Sequence, residues 1–161
     1  MHDRLPEVEK PPHLVWDSME KSARTYYGAS ALQRIQIIKQ RVPARFVKII
    51  TISMKMSKET LYETLNLARA TIERKVLKKE LLNQDESERV LAITRLVGQA
   101  DNIVRESGTG EGFNAAEWVA AWLQRPHPAL GRKRPAELMD TADGRELVTD
   151  LLARQQSGVY S

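Results

Sequence analysis

Histidine is the side chain that most often transfers protons or binds metal ions near neutral pH, and this chain of 161 residues has three. His2, His13 and His127 are far apart, so no two of them have the spacing of metal ligands. The sequence has no cysteine, which excludes disulfides and thiolate metal sites. A hydrolytic triad would depend on His127, since the other two precede the first predicted helix. The sequence therefore predicts a protein without catalytic activity, metal or cofactor.

The glycine cluster SGTGEG, residues 107–112, is the second candidate for binding a charged ligand. Three glycines in five positions are similar to a phosphate-binding loop. Such a loop lies between a strand and a helix and carries a Lys-Ser/Thr pair, and the sequence predicts neither feature here. Its turn-forming composition instead predicts a linker.

Positive charge is concentrated in one segment. Residues 34–80 hold 12 Lys and Arg against 4 Asp and Glu (+8), whereas residues 1–33 hold 4 against 5 (−1) and residues 81–161 hold 9 against 12 (−3). This asymmetry is expected if one part of the chain meets a polyanion. A solvated basic face without a partner would give the same count, so charge alone leaves both interpretations open.

Apolar residues repeat at intervals of three and four rather than two, which predicts an all-α protein. Prolines near the start predict a partly flexible arm over residues 1–33. A first helix is predicted over Ser30–Arg41, with Leu32, Ile35 and Ile38 on one face.

Polar residues with capping chemistry predict where later helices begin. Ser57 is a predicted N-cap. Asn83 with Glu86, and Asn114 with Glu117, have the spacing of a capping box. After Asn83 the apolar pattern predicts one long helix.

The basic segment contains the stretch LNLARATIERKVLKK, residues 65–79. A short helix after Ser57 is predicted to bury Leu61 and Leu65. A turn follows at Asn66, which tolerates the left-handed conformation, and a second helix comes after it. A short helix, a tight turn and a second helix form a helix-turn-helix, a common DNA-binding unit.

The second helix has two faces of different composition. Ile72, Val76 and Leu77 are predicted to face the core, while the opposite face would enter the major groove of DNA. The candidate DNA-binding residues on that face are Arg69, Ala70, Thr71, Arg74, Lys75 and Lys78.

These candidates differ in the contact that each could make. Arg69 and Arg74 can donate hydrogen bonds to guanine edges, and Thr71 can contact a base or a phosphate. Lys75 and Lys78 are predicted to neutralise phosphates, which sets affinity rather than sequence preference. A solvated surface helix carries similar charges, so the residues alone also allow a helix that binds no DNA.

Residues 56–96 resemble the Xre-like domain of the Xre/MbcA/ParS-type antitoxins. The resemblance rests on the helix-turn-helix with TIERK at residues 71–75, the run ESERV at residues 86–90 and the long helix that follows. Two positions depart from the family pattern: Asn66 replaces a glycine in the turn, and Ala68 replaces a capping serine. Without that cap the second helix loses about 1 kcal/mol.

Residues 115–161 resemble the toxin-binding domain of the same family, and the combined resemblance covers about residues 40–161. The matching residues are Trp122, Pro128-Ala129-Leu130-Gly131, Pro135-Ala136-Glu137-Leu138, Thr141 with Gly144, and the ending Gly158-Val159-Tyr160. The resemblance implies an all-α chain in which a Cro/Xre-like helix-turn-helix domain precedes a small helical toxin-binding domain. The expected boundaries are an arm over residues 1–33, a DNA-binding domain over residues 34–106, a linker over residues 107–112 and a toxin-binding domain over residues 113–161.

The resemblance also implies a partner and a mechanism. Antitoxins of this family bind RES-type toxins, which are similar to ADP-ribosyltransferases and consume NAD, and the C-terminal tail reaches the active-site cleft of the toxin. Gly158 permits a change of direction after the last helix, and Tyr160 is an anchor type favoured at interfaces. The candidate toxin-binding residues are Arg154, Gln155, Ser157, Gly158, Val159, Tyr160 and Ser161.

Operator DNA and a second copy of the chain are further expected partners. One small DNA-reading unit makes few base contacts, whereas two units about 34 Å apart can read successive turns of the duplex. No apolar run approaches the roughly 18 residues that span a bilayer, and the N-terminus lacks the apolar core of a signal peptide. A cytoplasmic location is therefore predicted, with no membrane partner.

Two other functions fit parts of the sequence. A stand-alone repressor with a ligand- or partner-sensing C-terminal domain would need an effector pocket but no intact tail. An interaction module that binds no DNA would show little salt-dependent DNA affinity. A neighbouring reading frame that encodes a small RES-like protein would favour the antitoxin over both.

Overall fold

The three-and-four spacing of apolar residues produces eight α-helices in the part of the chain that the computed structural model describes, residues 9–108 and 110–156. They are α1 Met19–Gly28, α2 Ala31–Gln40, α3 Phe46–Met54, α4 Lys58–Leu65, α5 Arg69–Leu77, α6 Gln84–Glu106, α7 Ala115–Leu123 and α8 Ala142–Gln156. Two 3-10 turns, Pro128–Leu130 and Pro135–Leu138, connect α7 to α8. The described residues form no β-strand beyond an isolated bridge between Pro43 and Leu81. The all-α prediction is confirmed.

Helix α6 is the central element of the fold. Its N-terminus is closed by the predicted capping box, because Asn83 Oδ1 accepts from the Glu86 amide and Glu86 Oε1 accepts from the Asn83 amide, each at 2.7 Å. The helix packs against α1, α2, α7 and α8. Val90 and Val97 of α6 belong to the same buried cluster as Val119 of α7, so the C-terminal helices share one core with the N-terminal ones.

Helix α1 lies within residues 1–33 and was not predicted from the sequence. The Ser18 hydroxyl caps it by accepting a hydrogen bond from the Lys21 amide at 3.2 Å. Met19, Ala23 and Tyr26 are buried, and the helix packs along α6. Residues 19–28 are therefore an integral part of the core.

Gly98 of α6 permits a very close approach between α1 and α6. A Cβ atom at this position would lie 2.3 Å from the Ala23 carbonyl oxygen and 2.6 Å from the Tyr27 Cβ. Both neighbours are fixed by the α1 backbone, so no side-chain rotation could relieve the overlap. The spacing of these two helices requires glycine at this point.

Helix α2 packs on the core through a different face from the one that carries Leu32 and Ile35. Ile37 is the buried residue, at 2% exposure, and it packs in the common core. Leu32 is 56% exposed and Ile35 is 47% exposed, so the apolar face that the sequence predicts for this helix lies largely outside the core. Ile38 lies between the two faces and is partly buried against the core. Helical periodicity identifies the helix and its apolar stripe, but the sequence does not indicate that Ile37, outside this stripe, is the residue that docks on the core.

The last helix begins one residue after a threonine cap. Thr141 Oγ1 accepts a hydrogen bond from the Gly144 amide at 2.9 Å. Val148, Leu151 and Leu152 then anchor α8 in the core, each at most 2% exposed. None of the described helices is long and apolar enough to cross a membrane.

Candidate functional site

The helix-turn-helix predicted from the basic segment consists of α4, the turn at Asn66 and α5. Ser57 caps α4 as predicted, since its hydroxyl accepts from the Thr60 amide at 3.1 Å. Asn66 adopts the left-handed conformation, with φ 52° and ψ 53°. Leu61 and Leu65 are fully buried, which fixes α4 on the core. These four local predictions are confirmed.

Arg89 of α6 closes the turn from outside. Its guanidinium donates from one nitrogen to the Leu65 carbonyl at 3.0 Å and to the Asn66 carbonyl at 2.9 Å. These carbonyls at the end of α4 have no partner of their own within the helix. Sequence reasoning missed Arg89 because it lies more than 20 residues beyond the turn it stabilises.

Helix α5 starts without a side-chain cap, as its sequence predicted. Ala68 occupies the N-cap position with extended backbone angles, φ −75° and ψ 108°, and offers no acceptor to the first amides of the helix. Those amides lie at the end of α5 that would approach the phosphates of DNA.

Substituting Ala68→Ser should stabilise the protein by about 1 kcal/mol, because serine at this extended, exposed position can accept from an amide of the first turn. The urea midpoint of the full chain measures the effect. Ala70→Ser is the matched control, since Ala70 is exposed inside α5 and a hydroxyl there caps nothing. Equal midpoints for the two variants would contradict the prediction.

The inward face of α5 is shorter than predicted. Ile72 is fully buried and Val76 is partly buried against the core. Leu77 is 83% exposed, so the prediction that it faces the core is wrong. Leu77 is the last residue of α5, and it lines a shallow groove beside Val47 and Thr51 of α3.

The outward face of α5 carries four exposed candidates. Arg69, Ala70, Arg74 and Lys78 are exposed, while Thr71 is half-buried. The Arg69 guanidinium forms exposed ion pairs with Glu59 and Glu73, each at 3.2 Å. Such surface pairs are weak and exchange readily for other partners.

Glu73 places a negative charge beside these basic residues. A hydrogen bond from the Lys58 ammonium, at 3.0 Å, lowers the pKa of Glu73, and the neighbouring Arg69 acts in the same direction. The carboxylate is therefore ionised at neutral pH. A phosphate approaching this end of α5 would meet Lys58 and Arg69 together with Glu73.

Lys75 differs from its predicted role on the outward face. Its ammonium lies 2.5 Å from Glu86 Oε1 in an ion pair whose side chains are each 11% exposed. The same carboxylate oxygen accepts the capping hydrogen bond from the Asn83 amide. Lys75 follows Ile72 by three residues, so it lies on the flank of α5 that faces α6. In this structure Lys75 joins α5 to the start of α6 and is not displayed for phosphate contact.

The predicted toxin-binding residues fall at the end of the described chain. Arg154 and Gln155 lie in the last turn of α8, where Arg154 is exposed and Gln155 is half-buried. Ser157, Gly158, Val159, Tyr160 and Ser161 lie outside the described residues.

Comparison with known proteins matches both halves of the chain. Residues 33–95 match the antitoxin Xre-like helix-turn-helix domain, and residues 109–158 match the antitoxin Xre/MbcA/ParS C-terminal toxin-binding domain. The chain is also 38% identical over 138 residues to the Prs ADP-ribosylating antitoxin of Sphingobium sp. (strain YBL2), which covers 86% of this chain and 87% of that protein. The chain belongs to the Xre/MbcA/ParS family of antitoxins.

The family matches divide this antitoxin where its surface chemistry changes. The helix-turn-helix match contains the basic face of α5 together with the Arg89 contact that holds the turn. The toxin-binding match contains α7, both 3-10 turns and α8, and it extends to Gly158 in the tail. Antitoxin, toxin-binding domain and helix-turn-helix, which the resemblance implied, are all confirmed.

Proposed function

We propose that this antitoxin binds a RES-type, NAD-consuming toxin and blocks its active site with the C-terminal tail. The observation that carries the proposal is the match of residues 109–158 to a toxin-binding domain, which ends within the tail itself. The name of the Sphingobium relative ties that protein to ADP-ribosylation, a reaction that uses NAD. Both support a toxin of the predicted chemistry.

The mechanism requires steric occlusion and no chemistry by this chain. Helix α8 is held by Val148, Leu151 and Leu152 in the core, and its last turn follows these residues directly. Arg154 and Gln155 occupy that turn and would contact the rim of the toxin cleft. Gly158 would redirect the chain and Tyr160 would enter the cleft as an aromatic anchor. The antitoxin would therefore act as a plug rather than as an enzyme.

The same chain would repress its own operon as a homodimer. Arg74 and Lys78 display their charges on the outward face of α5, next to Ala70, whose small side chain allows close approach to DNA. Two such faces on one dimer would read two half-sites. The steric block uses the C-terminal tail and the repression uses α5 in the middle of the chain, so each can be tested without the other. The proposed location is the cytoplasm, where the antitoxin would meet its operator DNA.

Growth rescue tests the plug. The adjacent toxin gene would be co-expressed with the full antitoxin or with a chain truncated after Gln156, and only the full chain should restore growth. Among the residues that the structure describes, Leu152 is the last one buried in the core, so the truncated chain, which keeps it, should have the melting temperature of the full chain. A second variant, Tyr160→Ala in the full chain, should give intermediate rescue because it removes one anchor and leaves the tail.

Rescue by the truncated chain would keep the antitoxin function and exclude the tail as the plug. If the adjacent gene product is harmless by itself, it is not a toxin that this chain could neutralise. The stand-alone repressor then becomes the better interpretation. Binding of the truncated chain to the toxin without rescue would locate the affinity in α7 and α8 and the inhibition in the tail.

A further inference from the structure

The apolar stripe of α2 is largely exposed in the described part of the chain. Leu32 and Ile35 are 56% and 47% exposed, and Ile38, three residues further, is only partly buried. Residues spaced by three lie on one side of a helix, where a surface helix normally carries polar side chains. An uninterrupted apolar stripe at this position is typical of an interaction surface.

Two residues of the stripe, Ile35 and Ile38, form one wall of a groove between α2, α6 and α8. The groove has a volume of about 510 Å³. Ile35 and Ile38 line it from α2, Ala92 from α6, and the side chain of Met139 forms a buried part of its floor. The groove therefore offers an apolar centre that a side chain from another molecule can fill.

Six charged residues surround this apolar centre. They are three arginines, Arg34, Arg95 and Arg145, and three carboxylates, Glu88, Glu146 and Asp150. Within the described residues no ion pair joins any of these arginines to any of these carboxylates. Opposite charges on one surface without mutual pairing can each bind a charge on another molecule.

Arg95 is the clearest case of an unsatisfied group in the groove. Its side chain is half-buried, and its Nε atom is fully buried without a hydrogen-bond partner in the described part of the chain. Burial lowers the pKa of Arg34, and the positive charge of Arg95 lowers it further, so these guanidinium groups lie close enough to repel each other. An incoming carboxylate beside these two guanidinium groups would offset their repulsion.

We propose that this α2–α6–α8 groove is the surface through which two copies of the antitoxin form a dimer. In a two-fold dimer the same patch meets itself, so the patch must be complementary to its own chemistry. Three arginines and three carboxylates around an apolar centre satisfy that condition, because the positive groups of one copy can face the negative groups of the other. The proposal rests on the dimeric DNA-binding function proposed above and supplies its interface.

The position of the groove along α6 suits a dimer in which both copies present helix α5 to DNA. Glu86 joins α6 to α5 through Lys75, and Ala92 of the groove is six residues further on, about 9 Å along the helix axis. Half of the spacing between two recognition helices on DNA is about 17 Å. The distance from the groove to α5 along α6 is therefore shorter than this half-spacing. A two-fold axis through the groove could place the two α5 helices on successive turns of DNA.

Sedimentation of the full chain at micromolar concentrations and below tests this interface. The unmodified antitoxin should dimerise, and Ile35→Asp should weaken the dimer at least about 100-fold, because each interface then contains two carboxylates at its apolar centre. Ile52→Asp is the matched control: Ile52 is 72% exposed on α3 and does not line the groove. That variant should keep the dimer.

A second variant tests the charge pattern with exposed residues only. Glu88, Glu146 and Asp150 are all exposed, so reversing them together to lysine should leave the fold and its melting temperature unchanged. The dimer should nevertheless dissociate at low salt, since only positive groups then face each other. A dimer that survives this reversal would overturn the proposed pairing of arginines with carboxylates across the interface.

Other outcomes separate this proposal from the proposed function. If the unmodified chain is a monomer at every concentration, both the groove interface and the dimeric repressor fail, while toxin neutralisation is untouched. If Ile52→Asp dissociates the dimer and Ile35→Asp does not, the antitoxin is still a dimer but the proposed α2–α6–α8 interface is wrong. If Ile35→Asp stays dimeric but no longer rescues growth, the groove binds the toxin and the proposal is overturned.

Discussion

Replacing Gly98 by alanine should lower the free energy of unfolding by about 3 kcal/mol. The added methyl group would lie 2.3 Å from the Ala23 carbonyl oxygen, far inside van der Waals contact, so α1 would have to move away from α6. Overpacking of a well-packed core typically costs 1–3 kcal/mol and sometimes more. The higher helix propensity of alanine would return only about 1 kcal/mol. Because α1 buries Met19, Ala23 and Tyr26, the displacement affects the whole N-terminal part of the core.

Urea denaturation followed by circular dichroism measures the loss, with Gly28→Ala as the matched control. Gly28 is the last residue of α1, and a Cβ atom there would have no neighbour within 4 Å. The control should therefore stay within about 0.5 kcal/mol of the unmodified chain. If Gly98→Ala were equally neutral, α1 would not lie against α6 as the structure has it.

The features that the sequence predicted well are local ones. Ser57, the Asn83–Glu86 capping box and the left-handed Asn66 turn each depend on atoms no more than three residues apart. Ala68 follows the same logic, since the absence of an acceptor is already visible in the side chain. Backbone geometry and hydrogen bonding settle such interactions before any tertiary contact forms.

The features that escaped prediction depend on distant parts of the chain. Arg24 of α1 binds Asp101 of α6 across a sequence separation of 77 residues, and no pattern near α1 indicates this docking. The choice between Ile37 and the Leu32–Ile35 stripe on α2 is likewise decided by the surface of α6. Periodicity shows that a helix has an apolar stripe, but the partner helix decides which stripe is buried.

For the candidate DNA-binding site, the sequence identifies the basic residues of α5 but does not settle which of them are exposed. The outward positions of Arg69, Ala70, Arg74 and Lys78 follow from the 3.6-residue period. Lys75 was assigned to the same face although it follows Ile72 by three residues, a spacing that favours the inward flank. Its partner Glu86 was already recognised as a capping residue, but a second role for that carboxylate has no local signature.

Substituting Lys75→Met should destabilise the protein by about 2 kcal/mol. Among the described residues, the variant leaves Glu86 Oε1 with the Asn83 amide as its one donor, in a place where both side chains of the ion pair are 11% exposed. Removing one partner from a fully buried pair costs about 3–5 kcal/mol, and partial solvent access reduces this figure. Lys78→Met is the matched control, because Lys78 is the exposed C-cap residue of α5, and its effect should stay within about 0.5 kcal/mol.

On DNA binding the order should be reversed: Lys78→Met should have the larger effect and Lys75→Met the smaller one. If Lys78 neutralises a phosphate, Lys78→Met should reduce the slope of log affinity against log salt concentration by about 0.9. Lys75→Met should leave the slope unchanged at temperatures where the variant is folded, since its ammonium is already paired with Glu86. Fluorescence anisotropy on a duplex from the region upstream of the gene measures both slopes. A reduced slope for Lys75→Met together with unchanged stability would mean that Lys75 exchanges Glu86 for a phosphate when DNA binds.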